Sequence, residues 1–171
     1  MEPFLITVKK YTDLRGDFYE SYKASNLKDF LFVQDNHSVS KKNVIRGMHY
    51  QWDNPMDKLV RCSYGKIMDV IVDIRGNSKN LGNVYYYELS EENMNQLFVP
   101  AGFAHGFIAL TDIAHVQYKC TAEYNNTGES GINPLDKQLN INWGIGLKDT
   151  ILSEKDKNSI SFAEYNLQPK F

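Results

Sequence analysis

Two histidine-containing segments have residue types and spacing suited to chemistry. The first is Ile45-Arg-Gly-Met-His-Tyr-Gln51, which places a guanidinium, a glycine and the imidazole of His49 close together. Successive side chains of a strand point to opposite faces, so Met48 and Tyr50 share one face while His49 and Gln51 share the other. An imidazole that titrates near neutral pH is suited to proton transfer, and the alternative is that His49 is a structural histidine.

The second segment, residues 99–107, contains the pattern Pro-x-Gly-x-x-His-Gly-Phe. Pro100 and Gly102 favour a turn, and His105 then begins a new strand between phenylalanine rings that keep water away from it. A purely structural turn would need the proline and the glycine but not the histidine. His105 is therefore a second candidate for a functional imidazole.

Short segments rich in β-branched and aromatic residues surround both histidines and predict strands. They cover residues 4–11, 16–22, 30–40, 58–75, 83–90, 96–110 and 114–124. Gly65 divides the fourth segment into a hairpin, and Arg75-Gly-Asn-Ser78 predicts the turn after it. Eight or more short strands separated by turns are typical of an antiparallel sandwich or barrel, and we favour a jelly roll.

Serine residues mark the few expected helical turns. Ser25 predicts a cap for a short helical turn at Asn26 to Phe30, Ser90 begins a turn, and Ser153 predicts the cap of a short helix. The tail from Thr127 to Phe171 contains many turn-forming residues. We expect the tail to close one end of the barrel and to contribute side chains to it.

Length and composition limit the possible function classes. The 171 residues predict one domain spanning 1–171, and 19 basic against 21 acidic residues give a net charge of −2. This balance argues against nucleic acid or a membrane surface as a partner. Cys62 and Cys120 lack metal or redox spacing, which predicts reduced core residues. Without an apolar signal segment or a run of about 20 apolar residues, we expect a cytoplasmic protein.

The strand series and the two histidine segments resemble the double-stranded β-helix of the cupin superfamily. This resemblance implies an all-β, cupin-type jelly roll with a few short helices. Metal-binding cupins use a His-x-His pair, a glutamate and the histidine of the Pro-x-Gly motif. Here Gln51 replaces the second histidine and no suitably spaced glutamate follows, and an amide is a poor transition-metal ligand. We therefore expect no bound catalytic metal, with a metal-dependent cupin oxygenase, isomerase or storage protein as an alternative.

Within the cupins, almost the whole chain is similar to the dTDP-4-dehydrorhamnose 3,5-epimerase family. The shared segments follow one order: residues 13–20, 34–36, 46–51, 58–60, 65–70, 72–75, 100–107, 118–121, 124, 141–143 and 152–156. The resemblance implies cofactor-independent epimerisation at C3 and C5 of dTDP-4-keto-6-deoxy-D-glucose through enolates, in dTDP-L-rhamnose or related deoxysugar biosynthesis. Alternatives are an epimerase acting on only C3 or C5, and a non-catalytic sugar-nucleotide-binding module.

The resemblance also implies four catalytic residues. His49 would be the base, paired with Asp156, and Tyr118 would be the general acid on the other side of the sugar. Lys58 would stabilise the enolate oxygen. Two simpler interpretations stand beside these roles: Asp156 only caps a short helix, and Lys58 is a solvated loop lysine, because the NPMD stretch before it departs from the loop common in the family.

Substrate binding is implied for a second set of residues. The set comprises Arg15, Phe18, Glu20, Gln34, Asn36, Arg46, Gln51, His105 and Tyr124. Phe18 would stack on the base, Glu20 would accept a hydrogen bond from the pyrimidine, and Arg46 would pair with the diphosphate or a sugar oxygen. For Arg15 and Glu20 an ordinary surface ion pair is the alternative.

Family members are homodimers whose N-terminal strands cross to the partner, and the resemblance implies the same here. Edge strands such as residues 4–11 and 83–90 would need covering, and an exchanged strand would cover them. The first hairpin, with Arg15, Phe18 and Glu20, would then contribute to a pocket shared between subunits.

Overall fold

The computed structural model describes residues 1–171, with the side chain of Leu147 outside that description. Strands account for most of the regular structure. In chain order they are β1 (Phe4–Ile6), β2 (Lys10–Asp13), β3 (Gly16–Tyr19), β4 (Gln34–Lys41), β5 (Ile45–Gln51), β6 (Lys58–Tyr64), β7 (Lys66–Asp73), β8 (Val84–Ser90), β9 (Gln96–Val99), β10 (Phe103–Ala109), β11 (Ile113–Cys120) and β12 (Glu129–Gly131). The short helices are α1 (Glu154–Lys157) and α2 (Phe162–Leu167), with 3-10 turns at Ala24–Leu27 and Leu147–Asp149.

The strands form two five-stranded sheets whose inner faces pack on each other. The first sheet has the order β1-β9-β6-β11-β4 and the second has the order β12-β5-β10-β7-β8. Pairing within both sheets is antiparallel. The strands β2 and β3 form a separate hairpin. The predicted all-β, cupin-type jelly roll is confirmed.

Apolar side chains from both sheets fill one end of the space between them. Val60, Leu97 and Val116 from the first sheet pack with Ile71 and Phe107 from the second. Alternation along each strand places these side chains on the inner face. The other end of the same space is lined by polar side chains and is open, so the sandwich has a packed half and a hollow half.

A second core lies on the outer face of the second sheet. Met48, Tyr50 and Val70 point to this face and are covered by Trp143 and Tyr165 from the tail. The tail therefore differs from the expected barrel end-piece, because it mainly covers a sheet face that is itself apolar. Its segment from 151 to 156 still reaches the hollow half and lines it.

The helical turns follow their capping residues in two of three places. Ser153 caps α1 by accepting a hydrogen bond from the backbone N–H of Asp156, as predicted. Ser90 begins a turn in which its Oγ accepts a hydrogen bond from Asn93, also as predicted. The prediction for Ser25 is wrong: the 3-10 turn begins after Lys23 without a side-chain cap, and Ser25 lies inside it.

Cys62 and Cys120 are both free and buried, which confirms their prediction as reduced core residues. No helix in the described part of the chain is long and apolar enough to span a membrane.

Candidate active site

The hollow half of the sandwich forms a cavity with two connected lobes. The larger lobe has a volume of about 500 Å³ and the smaller one about 260 Å³, and both are lined by His49, Lys58 and Tyr118. This size suits a small organic ligand. Ten of the thirteen residues predicted from the sequence line the two lobes: Gln34, Asn36, Arg46, His49, Gln51, Lys58, His105, Tyr118, Tyr124 and Asp156.

His49 lies on β5 and forms a short hydrogen bond with Asp156 of α1. The distance from His49 Nε2 to Asp156 Oδ1 is 2.7 Å, and Asp156 is 3% exposed. Burial alone would raise the pKa of Asp156, but the hydrogen bond and charge of His49, together with Ser153 and the Gly47 backbone, hold it below the usual value. An ionised carboxylate on Nε2 orients the ring and leaves Nδ1 to act as a base.

Lys58 and Tyr118 face His49 from the opposite sheet. Lys58 begins β6 and lies next to Cys120 of β11, while Tyr118 is two residues earlier on β11. Burial lowers the pKa of Lys58, although the nearby Cys120, Glu129 and Asp69 oppose this change. Burial raises the pKa of the Tyr118 phenol, with Arg46 opposing the shift, so Tyr118 holds its proton at neutral pH.

His105 belongs to a second histidine–carboxylate pair that the sequence analysis did not identify. The distance from His105 Nε2 to Asp69 Oδ2 is 2.9 Å, and Asp69 is completely buried on β7. Burial raises the pKa of Asp69, while His105 and Lys58 act in the opposite direction. An aspartate inside the apolar run Ile67-Met-Asp-Val-Ile71 was the available sequence signal, since unpaired buried charges are unfavourable.

The arrangement places an imidazole on one sheet opposite a phenol and an ammonium group on the other. Such a site can remove a proton from one side of a bound molecule and return one from the other side. Among the described side chains, no cluster of three histidine, cysteine or carboxylate groups is placed to hold a metal ion.

Comparisons with known proteins show the family of the chain. Residues 1–164 match the family model described as dTDP-4-dehydrorhamnose 3,5-epimerase. The chain belongs to this family. A relative of that name from Methanothermobacter thermautotrophicus is 44% identical over 159 residues, covering 90% of this chain and 86% of the relative.

Two solved structures bear on the substrate and on the number of carbons changed. The Legionella pneumophila dTDP-6-deoxy-D-glucose-3,5-epimerase, crystallised with dTDP-4-keto-L-rhamnose, is 42% identical with a TM-score of 0.90, covering 94% of this chain and 88% of that one. A 3'-monoepimerase from Streptomyces bikiniensis, in complex with dTDP-quinovose, is 28% identical with a TM-score of 0.91, covering 96% and 86%. The fold is therefore shared by double and single epimerases.

The smaller lobe of the epimerase cavity is rich in amide and phenol groups. Gln34 donates a hydrogen bond to the side chain of Asn36 at 3.0 Å and accepts one from the backbone of Tyr124 at 2.8 Å. Gln51 is already occupied: its Nε2 donates to two backbone carbonyls at 2.7 and 3.1 Å, and its Oε1 accepts from Asn125 at 2.8 Å. Gln51 therefore braces the surrounding loops with its whole amide group.

Charged residues lie at the rim of the cavity. Arg46 donates a hydrogen bond to Ser40 at 3.0 Å and lines the larger lobe. Glu129 accepts hydrogen bonds from the Tyr124 hydroxyl and from Lys155. Burial alone would raise the pKa of Glu129, but these two hydrogen bonds hold it below the usual value. Glu129 and Lys155 could not be predicted from the sequence, because the residues around them resemble ordinary solvated surface.

Arg15, Phe18 and Glu20 do not reach the cavity of their own chain. Arg15 and Phe18 lie on the β2–β3 hairpin, where the Arg15 guanidinium pairs with Asp13 at 2.6 Å and Phe18 is 67% exposed. Glu20 follows the hairpin and pairs with Lys23 at 3.7 Å. The ion pairs of Arg15 and Glu20 within one chain are therefore local, to residues two and three positions away.

Proposed function

We propose that this epimerase converts dTDP-4-keto-6-deoxy-D-glucose by epimerisation at C3 and C5, in dTDP-L-rhamnose or related deoxysugar biosynthesis. The observation that carries this proposal is the position of the His49–Asp156 pair across the cavity from Tyr118 and Lys58. The dTDP-4-keto-L-rhamnose bound to the Legionella relative supports the choice of substrate. We also propose that residues 1–171 act as one domain.

The proposed reaction begins with proton removal by His49. The C4 ketone acidifies the hydrogens on C3 and C5, so a neutral imidazole held by Asp156 is a sufficient base. As the C–H bond breaks, its electron pair forms the enolate and the proton moves to Nδ1 of His49. The Lys58 ammonium stabilises the negative charge that develops on the C4 oxygen.

Tyr118 completes the proposed epimerisation by returning a proton to the opposite face of the carbon. Its phenol keeps its proton at neutral pH until the enolate accepts it. The new C–H bond then has inverted configuration, and the phenolate and the imidazolium exchange protons with solvent before the next step. The ketone on the substrate acidifies both carbons, so the proposed reaction needs neither a metal nor a cofactor.

Nucleotide binding is proposed for the remaining predicted residues. Arg46 offers a guanidinium at the larger lobe, while Gln34, Asn36 and Tyr124 offer neutral hydrogen-bonding groups at the smaller lobe. His105 contacts the substrate in this proposal, and the carboxylate of Asp69 fixes its ring. Gln51 contributes indirectly, because its amide holds the loops that form the lobe.

We propose a homodimer in which the hairpin of each subunit reaches the site of the other. The strand β2 is exposed along its whole length, and β3 is exposed apart from its last residue. Leu14 at the tip and Phe18 are strongly exposed, which an isolated chain would leave in water. This arrangement gives Arg15, Phe18 and Glu20 the base-stacking and diphosphate contacts that they lack within one chain. The free buried cysteines fit a proposed location in the reducing cytoplasm.

The second candidate is an epimerase that changes a single carbon, and the similarity to the Streptomyces bikiniensis monoepimerase favours keeping it. Incubation with dTDP-4-keto-6-deoxy-D-glucose in heavy water, followed by NMR, separates the two. Deuterium at both C3 and C5 supports the double epimerase, and deuterium at only one carbon supports the monoepimerase. A protein that binds the sugar nucleotide without any exchange would contradict both.

A further inference from the structure

The inner face of β4 carries four polar side chains in succession: Gln34, Asn36, Ser38 and Ser40. Three of them have partners within the protein. Gln34 and Asn36 are hydrogen-bonded to each other, Asn36 also donates to Cys120, and Ser40 accepts from Arg46. Ser38 is the exception in this row.

The hydroxyl oxygen of Ser38 is buried and has no hydrogen-bond partner among the described residues. Buried polar groups in folded proteins are rarely left unpaired, because losing water without gaining a partner costs free energy. Ser38 lines the larger lobe together with His49, Lys58 and Tyr118. Rotation about the Cα–Cβ bond of Ser38 can turn this hydroxyl toward the lobe, where a bound molecule would supply the missing partner.

The register of the first sheet places Ser38 on the Tyr118 side of the cavity. Ser38 pairs with Val116 on β11, and the next inward pair along the same two strands is Asn36 with Tyr118. Neighbouring inward positions on paired strands lie within reach of each other's side chains. The hydroxyl of Ser38 is thus close to the residue proposed to return the proton.

We propose that Ser38 is a substrate-binding residue that hydrogen-bonds to an oxygen of the sugar ring or its substituents. The inference rests on the proposed function, in which the sugar lies between His49 and Tyr118. A serine hydroxyl both donates and accepts, so it matches a sugar hydroxyl in either direction. This contact would help hold the sugar against Tyr118, while the nucleotide is bound elsewhere in the cavity.

Calorimetric titration with dTDP-L-rhamnose and with dTDP tests this assignment without depending on turnover. In Ser38→Ala we expect the affinity for dTDP-L-rhamnose to fall about tenfold, as for one lost hydrogen bond, while the affinity for dTDP stays within about twofold of wild type. Ser38→Thr keeps the hydroxyl and should retain most of the affinity. Ser63 lies on β6 and its side chain points away from the cavity. Ser63→Ala is the matched control and should bind both ligands like wild type.

Equal losses for dTDP and dTDP-L-rhamnose would overturn the sugar assignment, and so would unchanged affinity for both. Thermal unfolding distinguishes a direct contact from a packing defect. We expect Ser38→Ala to unfold no earlier than wild type, because the replacement removes an unpaired buried hydroxyl. Failure of wild type to exchange deuterium would contradict the proposed function, whereas the two titrations would still test Ser38.

Discussion

At the scale of single residues, the decisive contact joins His49 to a carboxylate 107 positions later in the chain. Ser153 caps the helix that carries Asp156, so the simple capping role belongs to the serine rather than to the aspartate. The carboxylate is free to act on the imidazole, where its negative charge favours proton uptake. Its contribution to turnover can therefore be separated from its contribution to the fold.

Asp156→Asn keeps the size of the side chain but removes the charge that supports His49 as a base. We expect kcat to fall by about a hundredfold to ten-thousandfold, the range for a lost general-base function, with dTDP affinity nearly unchanged. Steady-state kinetics and titration measure the two effects. Glu154→Gln is the control, because Glu154 lies on the same helix and its carboxylate pairs with the exposed Lys157. A similar loss in both variants would contradict the assigned role.

The pH dependence of the rate should reveal Lys58. Burial lowers the pKa of Lys58 from the ordinary value of 10.5, so its positive charge is lost as the pH rises through a value below 10.5. Burial raises the pKa of Tyr118 from 10.0, so the phenol loses its proton only at a pH above 10.0. We therefore expect kcat to fall on the alkaline side as Lys58 loses its charge.

Lys58→Arg tests this assignment, because a guanidinium keeps its charge to higher pH. The alkaline decrease in kcat should move upward, even if the overall rate is lower. Lys66→Arg is the control, since Lys66 pairs with Glu88 on β8 and is not among the residues that line the two lobes. If kcat of Lys58→Arg falls at the same alkaline pH as in wild type, the decrease is caused by the titration of another group.

At the scale of elements, the hairpin of β6 and β7 carries Lys58 and Asp69 to the cavity. Gly65 forms its turn with a φ of 73°, and a Cβ at this position would overlap the carbonyl oxygen of Ile113. Gly144 has a nearly identical φ of 74° but has open space around the position of a Cβ. Alanine substitutions at these two glycines therefore distinguish the free-energy cost of the backbone conformation from the cost of steric overlap.

Gly65→Ala should lower the free energy of unfolding by about 2 kcal/mol or more, because it combines backbone strain with a clash. Gly144→Ala should lower it by about 1 kcal/mol, the cost of the left-handed backbone conformation alone. Urea denaturation of the two variants and wild type gives both values. Equal effects would show that the close approach of Ile113 has no energetic consequence.

The elements also show which features of the fold could be predicted from the sequence. Alternation located most strands, since each strand has one face toward an apolar interior and that pattern is local. The position of the tail was harder to predict. Met48 and Tyr50 face a second core, and the sequence does not indicate which distant segment covers them. The role of Asp69 was not predicted, because its partner, His105, lies 36 positions away on another strand. Ser25 had a suitable residue type, but the turn began two residues too early to use it as a cap.

At the scale of the whole molecule, ten of the thirteen predicted residues meet in one cavity and three lie on or beside a projecting hairpin. Strand pairing within one chain builds the cavity. The family resemblance was sufficient to predict these ten lining residues. In the proposed homodimer, Arg15, Phe18 and Glu20 would reach the cavity of the partner chain. Their role is therefore a question about two chains rather than one.

Co-expression of two impaired chains answers this question. His49→Ala keeps an intact hairpin, and Phe18→Ala keeps an intact cavity. If each hairpin serves the partner's site, a mixed dimer has one complete site, and random pairing should restore about one quarter of the wild-type activity at low substrate concentration. Co-expression of His49→Ala with Asp156→Asn is the control, because both changes affect the cavity of their own chain and no complete site can form. Activity no higher than the sum of the separate variants in the first mixture would show that the hairpin does not complete the partner's site.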